Sequence, residues 1–157
     1  MSFHPKFMQM AINLAIDSVQ SREGGPFAAV VIKNGQVIGQ GHNTVTATHD
    51  PTAHAEINAI RNACQQLSSF QLENCDIYTT CEPCPMCLGA IYWARPKAVY
   101  YASAKTDAAT AGFDDQFIYD EIALPIDSRQ ILTQQEMRDE AQTIFDLWVT
   151  KKDKTKY

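Results

Sequence analysis

Three thiols fall within seven residues, at Cys81, Cys84 and Cys87, with the last two set in the run Pro83-Cys84-Pro85-Met86-Cys87. Cys75 to Thr80 before them reads as a strand. Leu88 to Ala94 after them reads as a helix, entered through the prolines and closed by Arg95-Pro96. Thirty residues ahead of Cys84 stands His54-Ala55-Glu56. It lies at the head of a second helical pattern, Ala55, Ile57, Ala59, Ile60, Ala63 and Leu67, which Asp50-Pro51-Thr52 opens with a capping residue and a proline just inside. Both reactive runs therefore sit where the chain is delivered into a helix, so the sequence demands a fold in which two helix N-termini carry the chemistry.

The remaining punctuation builds a frame around them. Apolar positions Met8, Ala11, Ile12, Ala15, Ile16 and Val19 recur at helical steps between Pro5 and Ser21, and Gly24-Gly25-Pro26 ends that pattern. Phe27 to Ile32 and Val37 to Gly39 flank Asn34-Gly35, a strong short-range signal for a two-residue hairpin. Ala98 to Ala102 is a further strand. Gly112 to Asp115 reads as a turn, Phe117 to Ile122 as a short helix or extended segment, and Gln134 to Val149 as a helix. Helix, hairpin, helix, strand, helix, strand is the order of a mixed sheet with helices on its faces, an α/β layer architecture. No repeat or linker interrupts the 157 residues, which is about the length of one domain.

Composition removes several function classes. Hydrophobic residues make up 45% and charged residues 20%, a globular balance rather than a disordered one. The longest apolar stretches, Phe27 to Ile32 and Leu88 to Ala94, are far shorter than the roughly 20 residues of a membrane-spanning helix. The first residues show no charged stretch followed by an apolar block, so the expected compartment is the cytoplasm. Thirteen Lys and Arg against eighteen Asp and Glu give a net charge of -5, the wrong sign for a protein that works by neutralising phosphates, and nucleic acid is not the expected partner. Five cysteines, three of them crowded together, read in a reducing compartment as metal or thiol chemistry rather than disulfides.

His-x-Glu followed by Pro-Cys-x-x-Cys is the pattern of zinc nucleobase deaminases, in which the histidine and both cysteines hold the metal and the glutamate does not. Here those residues are His54, Cys84 and Cys87 around Zn2+, with Glu56 beside them. The helix N-termini favour thiolate over thiol at both cysteines. Three protein ligands leave the fourth tetrahedral position open to a water, the arrangement of a catalytic zinc, and Glu56 is placed to move that water's proton to a substrate. Two other readings use parts of the pattern. A structural zinc would recruit a fourth ligand from Cys81, His42, His49 or Cys75 and would have no use for Glu56. A thioredoxin-like thiol pair would need neither His54 nor Glu56. Cys64, on the apolar face of its helix, reads as a small buried hydrophobe.

At these residues the sequence resembles the cytidine deaminase superfamily of zinc-dependent nucleobase and nucleoside deaminases. The resemblance covers Asp50 to Glu56, Cys81 to Arg95, Ala111 to Asp115 and the terminal Tyr157. The first two runs are shared with branches acting on tRNA adenosine and on cytosine. The Gly112-Phe113-Asp114-Asp115 turn and the aromatic C-terminus resemble the branch acting on guanine. What this implies is a three-layer α/β/α sandwich with a central mixed sheet of five strands. It also implies that residues 1–157 form one deaminase domain and a homodimer, in which a C-terminal segment of about residues 134–157 is exchanged and Tyr157 closes the other subunit's pocket. The substrate contacts it implies are Asn43 on the purine, Asp115 on guanine N–H groups, Phe27 and Trp93 against the ring, and Ala55 beside it. Asn43 could equally end a strand, and Phe27 and Trp93 could equally be core residues.

Overall fold

The structure is a computed structural model that describes residues 3–156. It divides into two compact units, Met1–Asp115 and Gln116–Tyr157. The first unit runs α1 (Pro5–Ser21), β1 (Ala28–Lys33), β2 (Gln36–His42), α2 (Val45–Thr48), α3 (Ala55–Leu67), β3 (Cys75–Cys81), α4 (Pro85–Ala94), β4 (Ala98–Ser103) and α5 (Lys105–Thr110).

Asn34 and Gly35 both take positive φ, 51° and 78°, the backbone a two-residue hairpin turn requires. They fold β2 back antiparallel to β1. On its other edge β1 pairs antiparallel with β3, and β3 pairs in parallel with β4 across a crossover made by α4. The sheet is therefore mixed, in the order β2-β1-β3-β4. Alternation along the strands sends side chains to two cores. Ala29, Val31 and Ile77 meet Ala55, Ala59 and Ala63 of α3 and Ile91 and Ala94 of α4 on one face. Val30, Ile32 and Tyr78 meet Phe7, Met8 and Ala11 of α1 on the other.

The expected helix–sheet–helix layering is present, with four strands among the described residues instead of five. Past β4 the chain turns helical, in α5 and then α6 (Gln116–Ala123), so the segment that could have supplied a further strand is spent otherwise. The start of α3 also differs from the reading at Asp50. The Asp50 carboxylate accepts from the Thr52 N–H at 2.8 Å and the Thr52 hydroxyl at 2.7 Å, closing a turn of its own, and the helix begins at Ala55 with His54 as its extended N-cap. The helices α2 and α5, with four and six residues, are too short to show a helical period in the sequence.

The second unit contains α6, a 3-10 turn at Ile126–Ser128 and α7 (Arg138–Thr150). The Arg129 guanidinium donates to the Ile122 and Leu124 carbonyls. None of the residues of α6 or α7 is buried, and Phe117, Ile131, Leu132, Phe145, Leu147 and Trp148 are all exposed.

Helix α3 packs closely on β2. Alanines at every fourth position of the helix, 55, 59 and 63, face Gly39 and Gly41 of the strand. A Cβ placed on Gly41 would stand 2.6 Å from the Ala59 nitrogen and 2.8 Å from the Ala55 carbonyl oxygen, contacts with backbone that cannot turn aside. Gly41→Ala should therefore lower the unfolding free energy by about 1–3 kcal/mol, read as a reduced urea midpoint. An unchanged midpoint would mean that α3 can lift off the sheet without cost.

Candidate active site

His54 is the N-cap of α3 and Cys84 the N-cap of α4, both in extended backbone conformations. Pro85 occupies the first position of α4, where a missing N–H costs nothing, and Cys87 follows two residues later in the first turn. Glu56 lies in the first turn of α3. Because α3 and α4 cover the same face of the sheet, their N-termini converge. His54 Nδ1 lies 3.5 Å from Cys84 Sγ and 3.5 Å from Cys87 Sγ, and the three ligand atoms lie within 4.8 Å of one another.

That spacing fits zinc. Bonds of about 2.3 Å to sulfur and about 2.0–2.1 Å to nitrogen at tetrahedral angles set the two kinds of ligand about 3.6 Å apart. Among the described residues no fourth histidine, cysteine or carboxylate joins the group. Cys81 is buried nearby and its thiol is 3.8 Å from the Ala104 carbonyl. His42 instead faces Glu23 at 3.4 Å, His49 ends α2, and Cys75 is packed in the core. The closed structural site thus lacks its fourth partner.

The thiols and carboxylates around this point compete for protons. Cys84 is lowered to about 4, chiefly because it accepts a hydrogen bond from Cys87, with help from His54. The same contact, together with burial, holds Cys87 in its protonated form. Cys87 also reaches Glu56 Oε2 at 3.4 Å. Burial pushes the Glu56 carboxyl up, and burial pushes Cys81 up to about 11. A divalent cation answers this pattern, since it replaces the shared proton of the two sulfurs and both can then be thiolates.

Next to the three ligands opens a cavity of about 220 Å³. His54, Glu56 and Cys84 form its floor, and Phe27, Asn43 and Asp115 stand in its walls. Asn43 spends its side-chain oxygen on the Val45 N–H at 3.2 Å, which leaves its amide donors for a ligand. Burial, and after it the nearby Cys84 charge, raises the Asp115 carboxyl. Phe113 meets Phe27 edge to face, with ring centroids 4.9 Å apart. Phe113, Glu82 and Lys105 also line the cavity and were not singled out as contacts from the sequence, although Phe113 and Glu82 lie inside the quoted runs. Glu82 is tied down through its own N–H to the Ser103 carbonyl at 2.8 Å and through its carboxylate to the Lys105 N–H at 3.2 Å.

Two of the expected contacts fall elsewhere. Trp93 is 65% exposed and does not line the cavity. With Cys87, Ile91 and Ala94 turned inward, the roughly 100° per residue of a helix carries position 93 to the opposite side of α4. Ala55 is fully buried between His54 and Glu56 and packs in the core against the sheet. Tyr157 lies outside the described residues.

Residues 1–103 match the cytidine and deoxycytidylate deaminase zinc-binding region. The chain belongs to this deaminase family. It is 53% identical over 154 residues to guanine deaminase of Bacillus subtilis, covering 98% of this chain and 99% of that protein. The crystal structure of guanine deaminase from Bacillus subtilis superposes with a TM-score of 0.96 at 52% identity, covering 99% of both chains. A tRNA-specific adenosine deaminase of Aquifex aeolicus is 38% identical over 97 residues, 62% of this chain and 64% of that protein. The likeness to the adenosine enzyme thus covers a part of the chain, whereas the likeness to the guanine enzyme spans almost all of it.

The ligand set of this deaminase is open to direct test. Purified from zinc-supplemented medium and dialysed against a weak chelator, the native protein and Cys81→Ser should retain zinc by elemental analysis. His54→Ala, Cys84→Ser and Cys87→Ser should each fall below about a tenth of that content. Zinc lost with Cys81→Ser would add a fourth ligand and close the site.

Proposed function

We propose that this deaminase hydrolyses guanine to xanthine and ammonia, in the cytoplasm, in the breakdown or salvage of purines. The observation that carries this reading is the likeness to the Bacillus subtilis enzyme, which covers 98% of this chain and so is not confined to the zinc-binding region. The charge balance and the small, aromatic-walled cavity agree with a free base as substrate.

In this reading His54, Cys84 and Cys87 hold one zinc per chain. The metal supplies Lewis acidity that makes water a usable nucleophile near neutral pH. Glu56 takes a proton from the water that adds to guanine C2 and returns it to the ring nitrogen. It then carries the proton of the new C2 hydroxyl to the exocyclic amine, the bond from C2 to that amine breaks, and ammonia departs as the C2 carbonyl of xanthine forms. Asn43 donates to an acceptor on the purine edge, and Asp115 accepts from guanine N–H groups. Phe27 and Phe113 supply an aromatic wall for the flat ring. Ala55, packed between the ligand and the acid, can offer the substrate only its main chain.

The same reading makes the protein a homodimer in which the segment of about residues 134–157 crosses to the partner and Tyr157 closes its pocket. Its support is the second unit, whose helices bury nothing of their own while presenting Phe145, Leu147 and Trp148 to solvent. A helix with such a face is stabilised by packing against another surface.

Zinc-loaded protein mixed with guanine should show the ultraviolet change to xanthine, and adenine and cytosine should be inert. No turnover of guanine by a fully loaded sample would sink the assignment, and turnover of another base in the panel would replace it. Glu56→Gln should keep its zinc and lose about 10²–10⁴-fold in kcat. Sedimentation should give twice the chain mass, and the pair Phe145→Glu with Trp148→Glu should shift it to a monomer. A double variant that remains dimeric would remove α7 from the interface.

A further inference from the structure

Asn58 lies on α3 one turn beyond His54, and its amide reaches off the helix toward two separate loops. Nδ2 stands 2.9 Å from the His42 carbonyl oxygen, 3.1 Å from Thr44 Oγ1 and 3.4 Å from the Ala53 carbonyl oxygen. His42 and Thr44 are the two neighbours of Asn43, and Ala53 immediately precedes His54. All three partners are oxygens that accept, so the position calls for a side chain that donates more than once, and the NH₂ group of an amide does so. The two loops also meet directly, through the Thr44 N–H and the Ala53 carbonyl at 3.0 Å.

The segment is confined from its other sides as well. A Cβ on Gly24 would fall 1.7 Å from the Asn43 carbonyl oxygen, so the turn after α1 presses directly on that peptide. A Cβ on Gly41 would fall 2.7 Å from Asn58 Cβ, so β2 approaches the helix closely where Asn58 leaves it. Asn43 itself donates its N–H to the Phe27 carbonyl at 3.0 Å and gives its side-chain oxygen to Val45. With backbone and side-chain oxygen both committed, the place where the Asn43 amide donors enter the cavity depends on where its peptide is held.

We propose that Asn58 is a positioning residue for substrate recognition, holding Asn43 in register with the metal ligand His54 by bridging the chain on both sides of Asn43 to the residue before His54. The inference rests on the reading of Asn43 as a purine contact. A shift of about 1 Å in such a group can cost up to about 10²-fold, and Asn58 acts against that shift without touching the substrate.

Asn58→Ala tests this with little risk to the helix, since alanine is the best helix former. The zinc-loaded variant should keep its metal, change kcat by less than about threefold and raise KM for guanine about tenfold, the worth of one to two hydrogen bonds. In a background of Asn43→Ala, adding Asn58→Ala should raise KM by less than about twofold further, because a residue acting through Asn43 has nothing left to position. An unchanged KM in the single variant, a multiplicative effect in the double variant, or loss of zinc would each overturn the proposal. Amide exchange gives a readout independent of turnover. The Thr44 and Val45 N–H groups should exchange about tenfold faster in Asn58→Ala, with β3 unaffected. Equal rates overturn the positioning role even if guanine is the substrate, and faster rates uphold the loop clamp even if guanine is not. Should the alanine variant fail to fold, Asn58→Ser, with one short donor in place of the amide, is held to the same criteria.

Discussion

The convergence of one imidazole nitrogen and two sulfurs at 3.5 Å is the constraint from which the rest of the first unit follows. It requires the N-termini of α3 and α4 to meet, and hence both helices to lie on one face of the sheet. It also requires α3 to lie close to β2. Alanine on the helix and glycine on the strand provide that approach, at the expense of apolar area that larger side chains would have buried. The helix termini also contribute electrostatically. The Cys87 N–H in the first turn of α4 donates to the Cys84 sulfur and, with the positive end of the helix dipole, favours its ionised form.

Around that point several acidic groups stand close together, and their ionisation is coupled. Cys84 is lowered to about 4, the Cys87 thiol is pushed up by its hydrogen bond to Cys84 and by burial, and burial, ahead of the Cys84 charge, pushes the Glu56 carboxyl up. Desolvation disfavours every charged form, and like charges add to the penalty, so ionising one group suppresses the next. A divalent cation held by His54, Cys84 and Cys87 would invert that relation: two thiolates would compensate it, and the Glu56 carboxylate would be left beside it to exchange protons. Cys81 stands outside that cluster: its thiol is buried, pushed up to about 11 by that burial, and lines the cavity.

Local chemistry was legible in the residues wherever it was decided locally. Pro5, Asn34-Gly35, the Cys84-Pro85 entry and Arg95-Pro96 each mark a boundary through a backbone restriction, and the structure places turns or helix ends there. The start of α3 was misread because Asp50 has two ways to use its carboxylate, capping a helix or closing a turn with Thr52, and the choice is made by His54 having to stand extended at the helix entrance. The resemblance places Trp93 against the ring, whereas within one chain its direction is set by which face of α4 packs on the sheet, and Cys87, Ile91 and Ala94 take that face. Phe113 carried no periodic signal, and its meeting with Phe27 depends on a contact between distant turns.

The walls of the cavity and its floor come from different parts of the chain, yet each metal-bearing segment grips the wall next to it. Asn58, one turn after His54, donates to the His42 carbonyl on one side of Asn43 and to the Thr44 hydroxyl on the other. Glu82, two residues before Cys84, holds the end of β4 and the start of α5, from which the chain runs on to Phe113 and Asp115. Hydrogen bonds from the metal-bearing segments thus transmit the position of the ligands to the loops that would meet a substrate. The division has a physical logic: side chains that the loops turn into the cavity are separate from the residues that would hold a metal, while the hydrogen bonds of Asn58 and Glu82 tie the loops to those segments.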